Sequence, residues 1–213
     1  MKKIVMIVVV VISTTLSVNG QELIRYGVKL GYNLSSISGF ENNVTNGEGI
    51  TYASLSGYSI GGFAEISFTD ELSVQPELLY STKGNSSKYI FPSDVEGDLE
   101  GDIKLAYVDV SVLGKYYLTQ DLSFELGPQL SFLTSAKYHT KGEIDGKEED
   151  NSSNIREQSK SVDIGLNIGA SYKFDFGLNL GLRYGIGFSD VLELYDNVKY
   201  TNRVFGLSTG YAF

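Results

Sequence analysis

The sequence predicts an all-β fold: a closed, eight-stranded antiparallel up-and-down transmembrane β-barrel with four long outer loops and short periplasmic turns. Three observations lead there. Apolar and polar residues alternate with period 2 through eight segments. The apolar face of those segments is bulky, and the other face is small with a few charges. Short and long connections alternate without exception.

The chain opens with Lys2 and Lys3, an unbroken apolar run from Ile4 to Ile12, a more polar stretch from Ser13, and Val18-Asn19-Gly20. That order is the order of a secretory signal peptide. The apolar run is too short to span a bilayer. Residues 1–20 therefore read as a cleaved leader, and residues 21–213 as one domain in the outer membrane. No other segment is apolar enough for a membrane-crossing helix.

Alternation then places strands near 24–34, 56–68, 72–83, 104–118, 122–134, 161–174, 177–189 and 202–213. In the first, Tyr26, Val28, Leu30, Tyr32 and Leu34 share a face opposite Arg25, Gly27, Lys29, Gly31 and Asn33. In the sixth, Ile164, Leu166, Ile168 and Ala170 oppose Asp163, Gly165, Asn167 and Gly169. Phe63, Leu79, Leu113 and Tyr117 are exceptions, being large residues on the polar side. Each segment reaches the roughly 9–11 residues a tilted strand needs to cross a membrane.

Volume decides which face points out. A ring of about eight strands has an interior just wide enough to be filled by side chains. Leu, Ile, Val, Phe and Tyr would overfill it, whereas Gly, Ser, Asn and a few long charged groups fit. The bulky face therefore turns to lipid, its aromatic residues near the strand ends forming two interfacial belts. The connections at 69–71, 119–121 and 175–176 are short, and those at 35–54, 84–103, 135–160 and 190–202 are long and polar. All long links fall at one end and both termini at the other.

Parity sends ten ionisable groups inward: Arg25, Lys29, Lys115, Lys173 and Arg183 with Glu65, Glu77, Asp109, Glu125 and Asp163. Five of each sign in a narrow bore point to a structural, salt-bridged plug, since unpaired buried charge is very costly. An ion path lined by the carboxylates is the sharper alternative.

The stretch Gln75-Pro76-Glu77-Leu78-Leu79-Tyr80-Ser81-Thr82-Lys83-Gly84, the strand end Lys115-Tyr116-Tyr117-Leu118, and Glu125-Leu126-Gly127-Pro128-Gln129 follow one another along the chain, with Phe174-Asp175-Phe176-Gly177-Leu178 and Leu182-Arg183-Tyr184 after them. In that order they resemble the PorT-like outer-membrane β-barrel family of the Bacteroidetes, over residues 24–213. The resemblance implies a barrel inserted in the outer membrane and implies no enzymatic activity. Phe205, Leu207, Tyr211 and Phe213 resemble the terminal signal read by the barrel assembly machinery, although Thr209 among them is less apolar than that pattern prefers.

The net charge of −9 disfavours nucleic acid as a partner. With no cysteine, disulfides, thiolate metal sites and lipid anchoring at Cys are excluded. His139 is the only histidine and stands in a loop-like stretch, so triad chemistry has little to build on. Asp94, Glu96, Asp98, Glu100 and Asp102 put an acid at every second position, a weak candidate site for Ca²⁺ or Mg²⁺. The stretch from Lys147 to Ser153 reads as a mobile, mixed-charge loop. No cofactor is expected. The expected partners are outer-membrane lipid and lipopolysaccharide, the assembly machinery during biogenesis, and a surface protein or polysaccharide. The function expected is a structural or surface-interaction role without catalysis. The alternatives are a small outer-membrane enzyme acting on lipid and a soluble periplasmic ligand-binding barrel.

Overall fold

The computed structural model describes residues 24–45, 48–92, 97–144, 146–193 and 198–213. The leader at 1–20 lies outside them, as do Asp94 and Glu96. Among the described residues ten strands form: β1 (Ile24–Ser38), β2 (Asn43–Thr45), β3 (Glu48–Ser67), β4 (Leu72–Ile90), β5 (Gly97–Tyr117), β6 (Leu122–Ile144), β7 (Lys147–Asn154), β8 (Val162–Lys173), β9 (Leu178–Gly187) and β10 (Thr201–Ala212).

Eight of them are hydrogen-bonded in a ring, in the order β1-β3-β4-β5-β6-β8-β9-β10 and back to β1. Every neighbouring pair is antiparallel. Closure through β1 leaves none of the eight with a free edge in the ring, which satisfies backbone N–H and C=O groups without water. β2 and β7 stand outside it, paired with β3 and β6.

The alternation is realised with the bulky face outward. Tyr26, Val28, Leu30, Tyr32 and Leu34 are exposed, while Lys29 and Asn33 between them are buried. Leu126 and Ile168 are exposed and Glu125 and Asn167 buried in the same way. The outward aromatics pack on one another near the short connections, where the rings of Tyr172 and Phe174 lie 4.9 Å apart and those of Tyr211 and Phe213 5.5 Å apart. Near the other end, Tyr58 and Tyr80 lie 6.2 Å apart. The four exceptions to alternation, Phe63, Leu79, Leu113 and Tyr117, are all buried inside the ring. They fill space that the surrounding glycines leave: a Cβ on Gly27 would collide with the Phe63 ring.

Three expectations for the connections are corrected. The links at 35–54, 84–103 and 135–160 are largely strand, because β3, β4, β5 and β6 continue past the ring and pair with one another. Serines, threonines and charged residues sustain an extended ladder there although no apolar face is left to mark it. The stretch 147–154 is the ordered strand β7, its Glu149 and Asp150 opposite Gly142 and Lys141 of β6. The link 190–202 is not uniformly polar. Val191 and Leu192 are fully buried and, with Ile37, Leu105, Tyr107, Leu133, Ala136 and Tyr200, form a hydrophobic core across the long-connection end. Backbone bonds hold this link in place: Val191 N donates to Tyr200 O (2.8 Å) and Glu193 N to Gln158 O (2.8 Å). A β-bulge near Ala106 and Leu133 resets parity, so that Leu133 and Ala136, three residues apart, enter the same core.

Candidate functional site in the ring interior

The interior below that core is polar and densely paired. Its centre is Glu77 on β4. Lys29 Nζ of β1 lies 2.6 Å from Glu77 Oε1. Arg183 Nη1 of β9 lies 2.7 Å from Glu77 Oε2. The same guanidinium reaches Glu125 on β6, with Nη2 2.7 Å from Oε1. Gln75 Nε2 also donates to Glu77 Oε1 at 2.7 Å. Two carboxylates and two cations from four strands thus form one cluster. Such a cluster survives burial because each charge is both paired and hydrogen-bonded.

Two further clusters flank it. Towards the short connections, Glu65 is 3.2 Å from Lys115 Nζ and accepts bonds from Ser73 Oγ and the Tyr117 hydroxyl. Towards the apolar core, Asp109 is 3.1 Å from Lys83 Nζ and accepts from Ser81 Oγ at 2.6 Å. Lys83 also donates to Ser131 Oγ (3.0 Å) and lies over the Tyr107 ring. Glycines make room for these long side chains. At Gly169 a Cβ would stand 2.5 Å from the Leu182 carbonyl oxygen and 3.0 Å from Glu125 Oε1.

The structure therefore brings together Lys29, Glu77, Glu125 and Arg183, and separately Glu65 with Lys115. Asp109 pairs with Lys83, which the parity rule reaches one step past Ser81. Asp163 has no cation within 4 Å among the described residues and is held by Ser189 Oγ and Asn202 Nδ2, each at 2.8 Å. Arg25 and Lys173 line a wide vestibule at the short-connection end, with Lys173 Nζ 5.0 Å from the Tyr117 ring centre. Tyr107, Tyr117, Gln75 and Asn202 are interior partners that a search for charge alone passes over. Their inward parity was the available signal.

Of the acidic run, Asp98, Glu100 and Asp102 stand on β5 among lysines. Asp98 is 2.8 Å from Lys88 and Asp102 3.1 Å from Lys104. The bond to Asp98 raises Lys88 above the ordinary lysine range. Nearby, burial and then the Tyr138 hydroxyl, 2.7 Å away, push the Tyr89 phenol up to about 12. His139 lies on β6, its Nε2 3.7 Å from Asp150 Oδ1.

Among solved structures, the chain is similar to the attachment invasion locus protein Ail of Yersinia pestis at 13% identity, over 89% of this chain and 98% of that one, with a TM-score of 0.41. It is similar to Neisserial surface protein A at 15% identity, over 89% and 97%, with a TM-score of 0.43. It is similar to OprG of Pseudomonas aeruginosa at 14% identity, over 92% and 99%, with a TM-score of 0.42. No curated protein matches it. The family model described as outer membrane protein beta-barrel domain matches residues 19–193, most of the chain. With the ring of eight strands and the outward apolar face, that match places the protein in the outer membrane, and the chain belongs to the outer membrane protein beta-barrel domain family.

Proposed function

We propose that this chain is a membrane-spanning barrel with a plugged lumen, which acts as a structural or surface-interaction protein and carries out no catalysis. One observation carries the reading: lipophilic side chains cover the outside of the ring while paired charges occupy the inside. A bore held shut by Arg183, Glu77, Lys29 and Glu125 leaves little room for a substrate or a stream of ions. In this reading the three short connections face the periplasm and the four long ones face outward. The extended sheet of β2 to β7 then stands above the bilayer, its Lys88, Glu100, Lys141 and Asp150 available to lipopolysaccharide, a surface polysaccharide or a partner protein. Phe205, Leu207, Tyr211 and Phe213 would be read by the assembly machinery during insertion. The PorT-like motifs support a finer placement within the family.

Fractionation tests the first part. Recovery of the protein in a urea-washed outer-membrane pellet, with heat-modifiable gel migration, is expected; free periplasmic protein would defeat the reading and favour a soluble binding barrel. Reconstituted liposomes are expected to show no steady conductance, and steps of open-pore size would defeat the plug. Crosslinking from Lys88 or Lys141 in intact cells is expected to capture lipopolysaccharide, polysaccharide or a surface protein.

A further inference from the structure

The sheet that extends past the ring is open at one edge. β7 pairs with β6 on one side and, among the described residues, with no strand on the other. It stands in line with β8, both being neighbours of β6 at successive levels. The strand placed to cover it is β9, which flanks β8 as far as the Gly165–Gly187 pair. Beyond Gly187 the chain leaves the wall, and Val191 and Leu192 are buried in the mouth instead. Every residue of β7 except the half-buried Glu149 is exposed. At the opposite edge β2 is only three residues long, the kind of short edge that resists further pairing. Charge is uneven along β7. Asp150 faces Lys141 across the ladder, with His139 Nε2 3.7 Å away. Glu148 faces Glu143, which in turn faces Asp98 on β5. Three carboxylates thus stand in one cross-strand row. Among the described residues one lysine bonds to that row, Lys88 to Asp98 at 2.8 Å. Like charges directly opposite one another destabilise a sheet.

We propose that β7 accepts an added strand from a partner protein, an extended segment with lysine or arginine at alternate positions. An open edge supplies main-chain hydrogen bonds, and the alternate side chains set which strand fits. A basic residue opposite Glu148 answers the row of Asp98, Glu143 and Glu148, whereas an acidic one adds to it. The same charge turns away apolar and acidic strands, which guards the edge against aggregation. A second copy in the same membrane does not fit. Two β7 strands paired antiparallel are related by a two-fold axis perpendicular to their sheet, and that axis would invert one barrel relative to the other. Access to the edge from outside rests on the outward placement of the long connections proposed above.

The test uses the mature chain refolded in detergent and a short fluorescent peptide of alternating lysine and threonine. Saturable binding is expected, with amide hydrogen exchange slowed over residues 147–154. The glutamate–threonine counterpart is expected to bind about tenfold more weakly, and Glu148→Lys to narrow that gap while heat-modifiable migration stays unchanged. A lysine–threonine peptide with every backbone amide N-methylated keeps its charge and loses its donors, and is expected not to bind. Equal binding of the methylated peptide would overturn the proposal by reducing it to charge attraction. Binding that leaves exchange over 147–154 unchanged would overturn it by placing the peptide elsewhere, and no binding of the unmodified peptide would overturn it outright. Intact cells separate the edge from its placement. Binding in detergent but not on cells would uphold strand addition and defeat the outward reading of the long connections.

Discussion

Arg183 on β9 and Glu77 on β4 meet across the full width of the ring, with Nη1 2.7 Å from Oε2 and Nη2 3.0 Å from Oε1. Three strands lie between them in either direction around the circle. The pair is a strut between opposite walls, and its two parallel bonds fix orientation as well as distance.

Removing one end of that strut leaves a buried charge unanswered. Glu77→Leu strands Lys29 and leaves Arg183 with Glu125 alone, and is expected to cost about 3–5 kcal/mol of folding stability. Adding Arg183→Leu to it leaves Lys29 beside Glu125 and is expected to cost much less than the sum of the single changes. Urea unfolding of refolded protein measures the cycle. Additive losses would show that the two side chains do not act as a pair.

The outward face sets a second expectation. Ile168 is 52% exposed near the middle of β8. In a bilayer Ile168→Arg is expected to destabilise by about 2–4 kcal/mol, as a charge near the midplane does on a lipid-facing strand. On the inner face Gly169→Leu is expected to block folding, because even its Cβ meets Leu182 backbone and Glu125. Unfolding in lipid vesicles checks the first and refolding yield the second.

The link between β9 and β10 is expected to depend on its buried pair. Leu192→Ala opens a void in the apolar core, at a cost of about 2–5 kcal/mol locally. The ring below it keeps its own ladder, so heat-modifiable migration should persist while trypsin gains access at Lys199. Unchanged proteolysis would show that Leu192 does not anchor the link.

Tyr89 and Tyr138 join β4 to β6 above the ring through their hydroxyls. The Tyr89 phenol is raised from 10.0 to about 12, so the folded state holds its proton more tightly than the unfolded chain does. The stability from this contact is therefore complete below pH 10 and is lost as pH rises through about 12. Spectrophotometric titration should show a late tyrosinate step that disappears in Tyr89→Phe. A spectrum identical in the variant would contradict the assignment.

Period-2 patterning made the eight ring strands legible, and interior volume told which face turns outward. Both follow from local geometry: successive side chains alternate sides, and a narrow ring admits only small or paired groups. The inward parity of Lys29, Glu77, Glu125 and Arg183 was legible for the same reason. Their partners were not, since Glu77 and Arg183 are 106 residues apart and only ring closure makes them neighbours.

The sequence by itself determined an all-β chain with an apolar outer face and a small, charged inner one, because each strand carries that pattern within its own few residues. Only the tertiary structure decided that β4, β5 and β6 run on beyond the ring, that Val191 and Leu192 fold into its mouth, and that Asp163 is held by Ser189 and Asn202. Those features depend on strand-to-strand pairing and on a bulge that resets parity, neither of which is encoded in any one segment.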